Sequence, residues 1–429
     1  MPRALISRPA FLLTLTIAAV LTLTSPLQAQ AANPNKKVLE LCEQAKPQIV
    51  NDLEKLVNMD SGSNDFPELL KKQEVLVEML KKIGGDVKLV PGGIEARKAT
   101  NNIVATWKGE GKARIMYMNH YDTVWNKGDA EKRPFKIENN VAYGPGVSDS
   151  QPNLLAAINL LDILLNKLGE KNFDTITVMF NCDEEIGSFA SRDLITDLAS
   201  KHDVVYSLDG GGPGGNTLTI SARGTAYYRM HIKGKESHSG SAPEKGVNAG
   251  YEMAHQILQM RDLGNKELGT DVNWTIGQFG TKSNVIPGAA WAEANVRTSK
   301  LNEWDRIEKD MSERIKNKLL PETEITIDFR RGRPPFEKNP ITDALAAKAI
   351  KLYKDELDKD VIARASGGGT DSNYSSQKAP ALEGFGFGGS GGHSVDEQFP
   401  LDNIVPRLYL LVRVSQETMK GDMVPLAKK

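Results

Sequence analysis

Three consecutive acids, Asp183-Glu184-Glu185, close the apolar run Val178-Met-Phe-Asn-Cys182 and stand just before Ile186-Gly-Ser188. Acids massed at the carboxyl end of a buried strand need a cation or a partner to offset their repulsion. Residues of metal-ligating type recur at comparable places: His120 with Asp122 two residues on, Asp149 after Gly144-Pro-Gly146, Asp209 after an apolar run, and His393 in a glycine-rich stretch. Asp122 is spaced to accept the second ring N–H of His120, which fixes the tautomer that offers a nitrogen lone pair. His120, Asp149, Glu185, Asp209 and His393 then supply two nitrogens and three carboxylates, a donor set that suits zinc. Such a set exceeds one tetrahedral ion, so a carboxylate-bridged pair of Zn2+ per subunit is the economical arrangement. Within the triplet Glu185 is the expected ligand and Glu184 the expected general base. On the residues alone, three solvated acids capping the next helix are an equal alternative.

Other reactive side chains carry less. His202 and His255 fall in helix-like surroundings and His231 in a strand, where a structural or surface role is the simplest reading. The chain holds two cysteines, Cys42 and Cys182, which make no disulfide framework at this length. The neighbours of Cys182 are acids, the opposite of the positive setting a thiolate nucleophile needs.

The elements that must position these residues follow from apolar periodicity. Leu39 to Leu56 and Leu69 to Leu80 pattern as amphipathic helices, separated by the polar turn Asp60 to Asp65. Strands at Asn102 to Trp107, Arg114 to Met118, Thr175 to Phe180 and Val204 to Leu208 then alternate with helices at Leu154 to Leu165 and Ser188 to Leu198. That alternation predicts a doubly wound α/β sheet, whose ligands bind outside the carboxyl ends of the strands. From Leu218 to Arg330 the order becomes βαββαβ, the signature of a ferredoxin-like α+β unit. Arg331-Gly-Arg-Pro-Pro335 reads as the linker back, followed by a helix at Ile341 to Leu357, a buried strand at Ala381 to Phe387 and a closing helix with Pro406 in its first turn. The expected organisation is a discontinuous α/β domain, residues 32–216 and 332–429, with residues 217–331 inserted.

Residues 1–31 read as a cleavable signal peptide: Arg3 and Arg8, an apolar run from Ala10 to Leu23, then Ala29-Gln-Ala31. This predicts a periplasmic or secreted mature chain with no membrane span. With 54 basic and 55 acidic residues the formal charge is -1, which leaves no electrostatic footprint for nucleic acid or an anionic membrane.

The motif series His120-Tyr-Asp-Thr-Val124, Gly144-Pro-Gly-Val-Ser-Asp149, Asp183-Glu-Glu-Ile-Gly-Ser-Phe-Ala-Ser-Arg192, Lys235-Glu-Ser-His-Ser-Gly240, Gly368-Gly-Thr-Asp371 and Gly392-His393 resembles that of the M20 metallopeptidases, most nearly their bacterial glutamate carboxypeptidase branch. The resemblance implies a zinc-exopeptidase-like catalytic domain with an inserted dimerisation domain. It implies a co-catalytic zinc pair bridged by Asp149, one ion completed by His120 and Asp209, the other by Glu185 and His393. Glu184 would be the base and Asp122 would support His120. His238 would stabilise the oxyanion in the partner subunit's site of a homodimer, and Arg297, Asn284 and Gly368 would hold substrate.

The chain also departs from the pattern. Ser150-Gln-Pro-Asn153 replaces the usual acid-Lys-Gly, Asp209 stands where close relatives carry Glu, and Thr217 stands where glutamate-specific enzymes are expected to carry lysine, with Arg223 a little beyond. The expected reaction is hydrolysis of the amide before a C-terminal amino acid, glutamate or another, in a small peptide or an N-acyl or pteroyl conjugate. An aminoacylase or dipeptidase of the same fold is the alternative. A non-catalytic zinc- or substrate-binding protein would have no need of Glu184.

Overall fold

The computed structural model describes residues 33–426; the expected leader lies outside the described residues. Strand Arg114–His120 shows how the large sheet is built. Its alternation sends Ile115 and Tyr117 to one face, against helices Lys36–Val57, Gln151–Leu161 and Ile404–Lys420. Met116 and Met118 go to the other face, beside Met179, Val205 and the Ile195 and Ala199 of helix Arg192–Ala199. Helices on both faces leave the strand ends as the open edge, and every residue from Ile115 to His120 is buried. Truncating Ile115 to alanine would cost about 2–5 kcal/mol.

The strands run in the order Asp86–Pro91, Asn101–Lys108, Thr175–Asn181, Arg114–His120, Val204–Ser207, Ala381–Leu382. The last four are mutually parallel, but the first two pairings are antiparallel. The sheet is therefore mixed rather than all parallel. Residues 92–100 are too short to carry the crossover that a parallel neighbour requires, and residues 109–113 turn the chain back so that Asn101–Lys108 runs opposite to Arg114–His120 and hence to Thr175–Asn181.

Residues Gly224–Arg331 form a separate antiparallel sheet in the order Asp271–Phe279, Ala289–Thr298, Gly224–Lys233, Glu324–Arg331. Helices Ala249–Gln259 and Asn302–Arg314 cover one face, giving the expected βαββαβ order. Two small cores fill it, one around Tyr228, Val296, Trp304 and Ile307, the other around Met230, Ile232 and Met253. Strand Thr217–Ala222 pairs elsewhere, in parallel with Ile362–Ser366, because Leu218 and Ile220 are buried in the main core. The small sheet opens at Gly224, where a Cβ would come within 2.7 Å of Pro335 N.

Two further differences bear on the site. The acids Glu184 and Glu185 lie in a short 3-10 turn, and the following helix begins at Arg192 rather than Ser188. Of the stretch 381–387, Ala381–Leu382 alone pairs in the sheet. Gly384 then turns the chain with φ of 84°, and Gly386 packs so tightly that a Cβ would lie 2.0 Å from Leu208 O.

Candidate metal centre

The acids and imidazoles singled out above meet at the carboxyl edge of the large sheet. His120 ends its strand, Glu185 follows strand Thr175–Asn181, Asp209 follows Val204–Ser207, and Asp149 precedes helix Gln151–Leu161. His393 enters from the loop after Leu382, its backbone held at φ of 64°, a left-handed conformation that costs a non-glycine residue about 1–3 kcal/mol. His393 Nε2 lies 3.0 Å from Glu185 Oε2 and 3.2 Å from Asp149 Oδ2. His120 Nε2 lies 3.1 Å from Asp149 Oδ1 and 3.8 Å from Asp209 Oδ1. Asp149 thus turns one oxygen to each imidazole, the disposition of a bridging carboxylate.

The electrostatics show a site built for positive charge. Asp149 and Glu185 push the His393 imidazole up to about 10. Burial alone would lower His120, yet Asp122, Asp149 and Asp209 carry it well above its usual value. Burial alone would raise Asp149, but the two imidazoles hold it below the carboxylate range. Glu185 is raised to about 7, chiefly by burial, and its Oε1 is buried without a hydrogen-bond partner. An orphaned carboxylate oxygen, and ligand atoms of His120, Asp149 and Glu185 within 4.8 Å of one another, fit a bound cation better than protons.

The supports around this cluster differ in detail from the sequence reading. His120 Nδ1 is 3.0 Å from the carbonyl of Asp122 and 3.4 Å from its carboxylate. That carboxylate is engaged elsewhere, accepting from Ser63 Oγ at 2.7 Å and from the backbone N–H groups of Glu184 and Glu185 at 3.1 and 3.3 Å. Asp122 therefore fixes the acid pair as well as the histidine. Asp183 caps the turn by accepting from Ala190 N and Ser191 Oγ.

Glu184 has a partner that sequence reasoning missed. Arg333, from the segment read as a linker, donates through Nη2 to Glu184 Oε1 at 2.6 Å, and through Nη1 to Gly369 O at 3.1 Å. Burial drives the Glu184 carboxyl well above its usual value against the pull of Arg333. A second omission is Glu397, four residues past His393. Its buried carboxylate accepts from Gly146 N, Ser148 N, Asp149 N and Trp125 Nε1 at 2.8–3.0 Å, so it sets the loop that carries Asp149.

The remaining candidates stand apart. His238 lies on a short ribbon with Val285, and Ser239 N donates to Asn284 O, which places His238 and Asn284 together. His238 Nδ1 accepts from Gly240 N and Ser241 N, both at 3.1 Å; that leaves Nε2 as the protonated, donating nitrogen. Arg297 Nε donates to Asn295 Oδ1. Among the described residues, no hydrogen bond or ion pair joins His238, Asn284 or Arg297 to the metal cluster. Gly368 is exposed beside Gly369 and Arg333. Arg223 is paired with Asp271, and Thr217 is buried. His202 is tied to Leu198 O and Thr177 Oγ1, and His255 to Asn317 O. Cys42 and Cys182 are free and buried, with thiols raised to about 12 and about 11.

With this geometry the chain belongs to peptidase family M20/M25/M40, whose family profile matches residues 116–417; it is a metallopeptidase, a metal-dependent hydrolase. Among its relatives, carboxypeptidase G2 of Pseudomonas sp. (strain RS-16) is 35% identical over 94% of this chain and 98% of that protein. Succinyl-diaminopimelate desuccinylase of Gluconacetobacter diazotrophicus is 25% identical over 77% of this chain and 87% of that protein. The fold is that of aminopeptidase PepT from Bacillus cereus, with a TM-score of 0.72 and 20% identity over 87% of this chain and 98% of that one. It is also that of an M20 family metallo-carboxypeptidase from Sulfolobus solfataricus, with a TM-score of 0.66 and 18% identity over 87% and 99% of the two chains.

Proposed function

We propose that this chain is a secreted or periplasmic zinc carboxypeptidase that hydrolyses the amide before the C-terminal residue of a small peptide or an N-acyl or pteroyl amino acid. The observation that carries the reading is Asp149 set between His120 and His393, with Glu184 beside the cluster. Two zinc ions would be held by Asp149 together with His120 and Asp209 on one side and Glu185 and His393 on the other. When bound, such ions supply Lewis acidity to the scissile carbonyl and to the attacking water.

The chain's own residues perform the proton transfers. Arg333 occupies Glu184 Oε1, which leaves Oε2 to take a proton from water as the C–O bond forms. Glu184 then returns that proton to the amine nitrogen as the C–N bond breaks, and its upward-shifted pKa suits both directions. His238, with its donating Nε2, stabilises the developing oxyanion. Arg297 and Asn284 grip the substrate carboxylate, and a guanidinium matches that geometry in bidentate fashion.

Because, among the described residues, no hydrogen bond or ion pair joins His238 or Asn284 to their own chain's cluster, the active form is a homodimer in which residues 217–331 form a dimerisation domain and residues 32–216 and 332–429 the catalytic one. An apolar strip supports this assembly: Tyr251 is 66% and Leu258 59% exposed on helix Ala249–Gln259, and Ile276 is 53% and Phe279 55% exposed on the adjoining edge strand. An open strand edge beside such a strip suits pairing with a second copy.

Thr217 and the engaged Arg223 favour a second reading of the specificity, an aminoacylase or dipeptidase without glutamate preference. The test is a turnover screen of the zinc-loaded protein on N-acyl and pteroyl amino acids, N-blocked peptides and dipeptides that differ only in the C-terminal residue. Cleavage of pteroyl amino acids and of N-blocked peptides, with glutamate preference read from the ranking, supports the carboxypeptidase, whereas turnover of simple N-acyl amino acids alone supports the aminoacylase. Turnover confined to dipeptides with a free amino terminus would contradict it.

A further inference from the structure

Lys72, on helix Phe66–Lys82, is 1% exposed, a rare state for a lysine. Among the described residues no carboxylate reaches it at ion-pair distance; Asp60 acts on it through space, and burial lowers its ammonium to about 7. Its Nζ donates instead to Ser61 Oγ at 2.8 Å and to Gln151 Oε1 at 3.1 Å. A buried amine is costly to keep unless its hydrogen bonds secure something.

Both partners lead to the metal cluster. The Ser61 carbonyl accepts from Thr123 N at 2.9 Å, and Ser63 holds the Asp122 carboxylate. Gln151 opens the helix that Asp149 precedes, and its backbone N–H donates to Gly146 O at 2.9 Å.

We propose that Lys72 is a positioning residue for Asp149, acting through Gln151, because its buried amine ties helix Phe66–Lys82 to the first residue of the helix that Asp149 precedes. This rests on Asp149 being a metal ligand. Lys72 touches neither substrate nor metal, so its effect falls on the affinity for metal and on kcat, with KM little changed.

The test compares the full-length protein with Lys72→Met, with Lys72→Met/Gln151→Lys, which moves the amine across the 3.1 Å contact, and with Asp149→Asn. Zinc affinity of the apoprotein by chelator competition, kcat, KM and thermal unfolding are read for each. Lys72→Met is expected to lose about 10–100-fold in zinc affinity and kcat, as outer-sphere supports do, and the double variant to regain most of both. Wild-type zinc affinity and kcat in Lys72→Met overturn the proposal, as does a folded double variant no better than the single one. Should Lys72→Met fail to fold, the double variant decides: recovery of fold, zinc affinity and kcat supports the role, and failure to recover them overturns it. Asp149→Asn separates the two readings, since full zinc binding there removes the ligand assignment whatever Lys72→Met does.

Discussion

At the carboxyl edge of the large sheet, His120, Asp149, Glu185 and His393 each stand within 3.2 Å of another member of the cluster. On the ribbon with Val285 and on the small sheet, respectively, the side chains of His238 and Arg297 hydrogen-bond, among the described residues, to atoms two or three residues away in their own strands and turns. The large-sheet residues are charged and partly buried, so each must be held by its neighbours or by a cation. His238 and Asn284 are exposed and Arg297 is half-buried, and they keep their chemistry available for something outside their own fold. On the proposed reading the first region holds the metals and the second contributes groups to a partner's site. Breaking either should therefore give a different signature.

The largest effect is expected from Asp149→Ala. Removing the central carboxylate should abolish zinc binding and turnover together, measured by metal analysis after gel filtration; a variant that kept its zinc would dissolve the comparison. Next comes Glu184→Gln, which should retain metal but lose about a thousand-fold in kcat; near-normal turnover there would free Glu184 from the base role. His238→Ala should keep full zinc and lose on the order of a hundred-fold in kcat, the usual cost of one oxyanion donor. Tyr251→Asp/Leu258→Asp, read by sedimentation, should be monomeric and fall to the His238→Ala level. A monomer of full activity would show that His238 acts, if at all, within its own chain.

Arg297→Ala should act chiefly on KM, by roughly ten- to a hundred-fold, the equivalent of losing a hydrogen bond to a charged group. A change in kcat alone would place Arg297 elsewhere in the mechanism. The smallest effect concerns protons. His393 is raised to about 10 by Asp149 and Glu185, above the unfolded value of about 6.5. Its contribution to the stability of the apoprotein is thus full below about 6.5 and fades as pH climbs through about 10. Zinc must displace that proton near neutral pH, so calorimetry in buffers of different ionisation enthalpy should show proton release, and zinc affinity should rise with pH. Proton-neutral uptake would separate His393 from the metal.

The candidate ligands were legible because residue type and place agreed: His120, Glu185 and Asp209 stand at the ends of apolar runs, Asp149 just before a helix, and His393 in a glycine-rich loop. Apart from Asp122, their supports were not legible, because each acts across the fold. Arg333 sits in a proline-flanked stretch that looks like a linker, and nothing in its neighbourhood points to Glu184. Glu397 is one acid in a polar loop until folding brings it onto the Gly146 to Asp149 backbone. Lys72 sits in an amphipathic helix among charged residues, where its burial breaks the pattern. The βαββαβ order was readable from periodicity, whereas the antiparallel edge of the large sheet was not, since buried strands of either direction carry similar apolar runs.

The most direct test of the metal centre is anomalous diffraction at the zinc edge from crystals of the zinc-loaded protein. Two peaks flanking the Asp149 carboxylate are predicted, one next to His120 and Asp209 and the other next to Glu185 and His393. A single peak, or peaks that leave Asp149 without a metal on either side, would contradict the bridged pair.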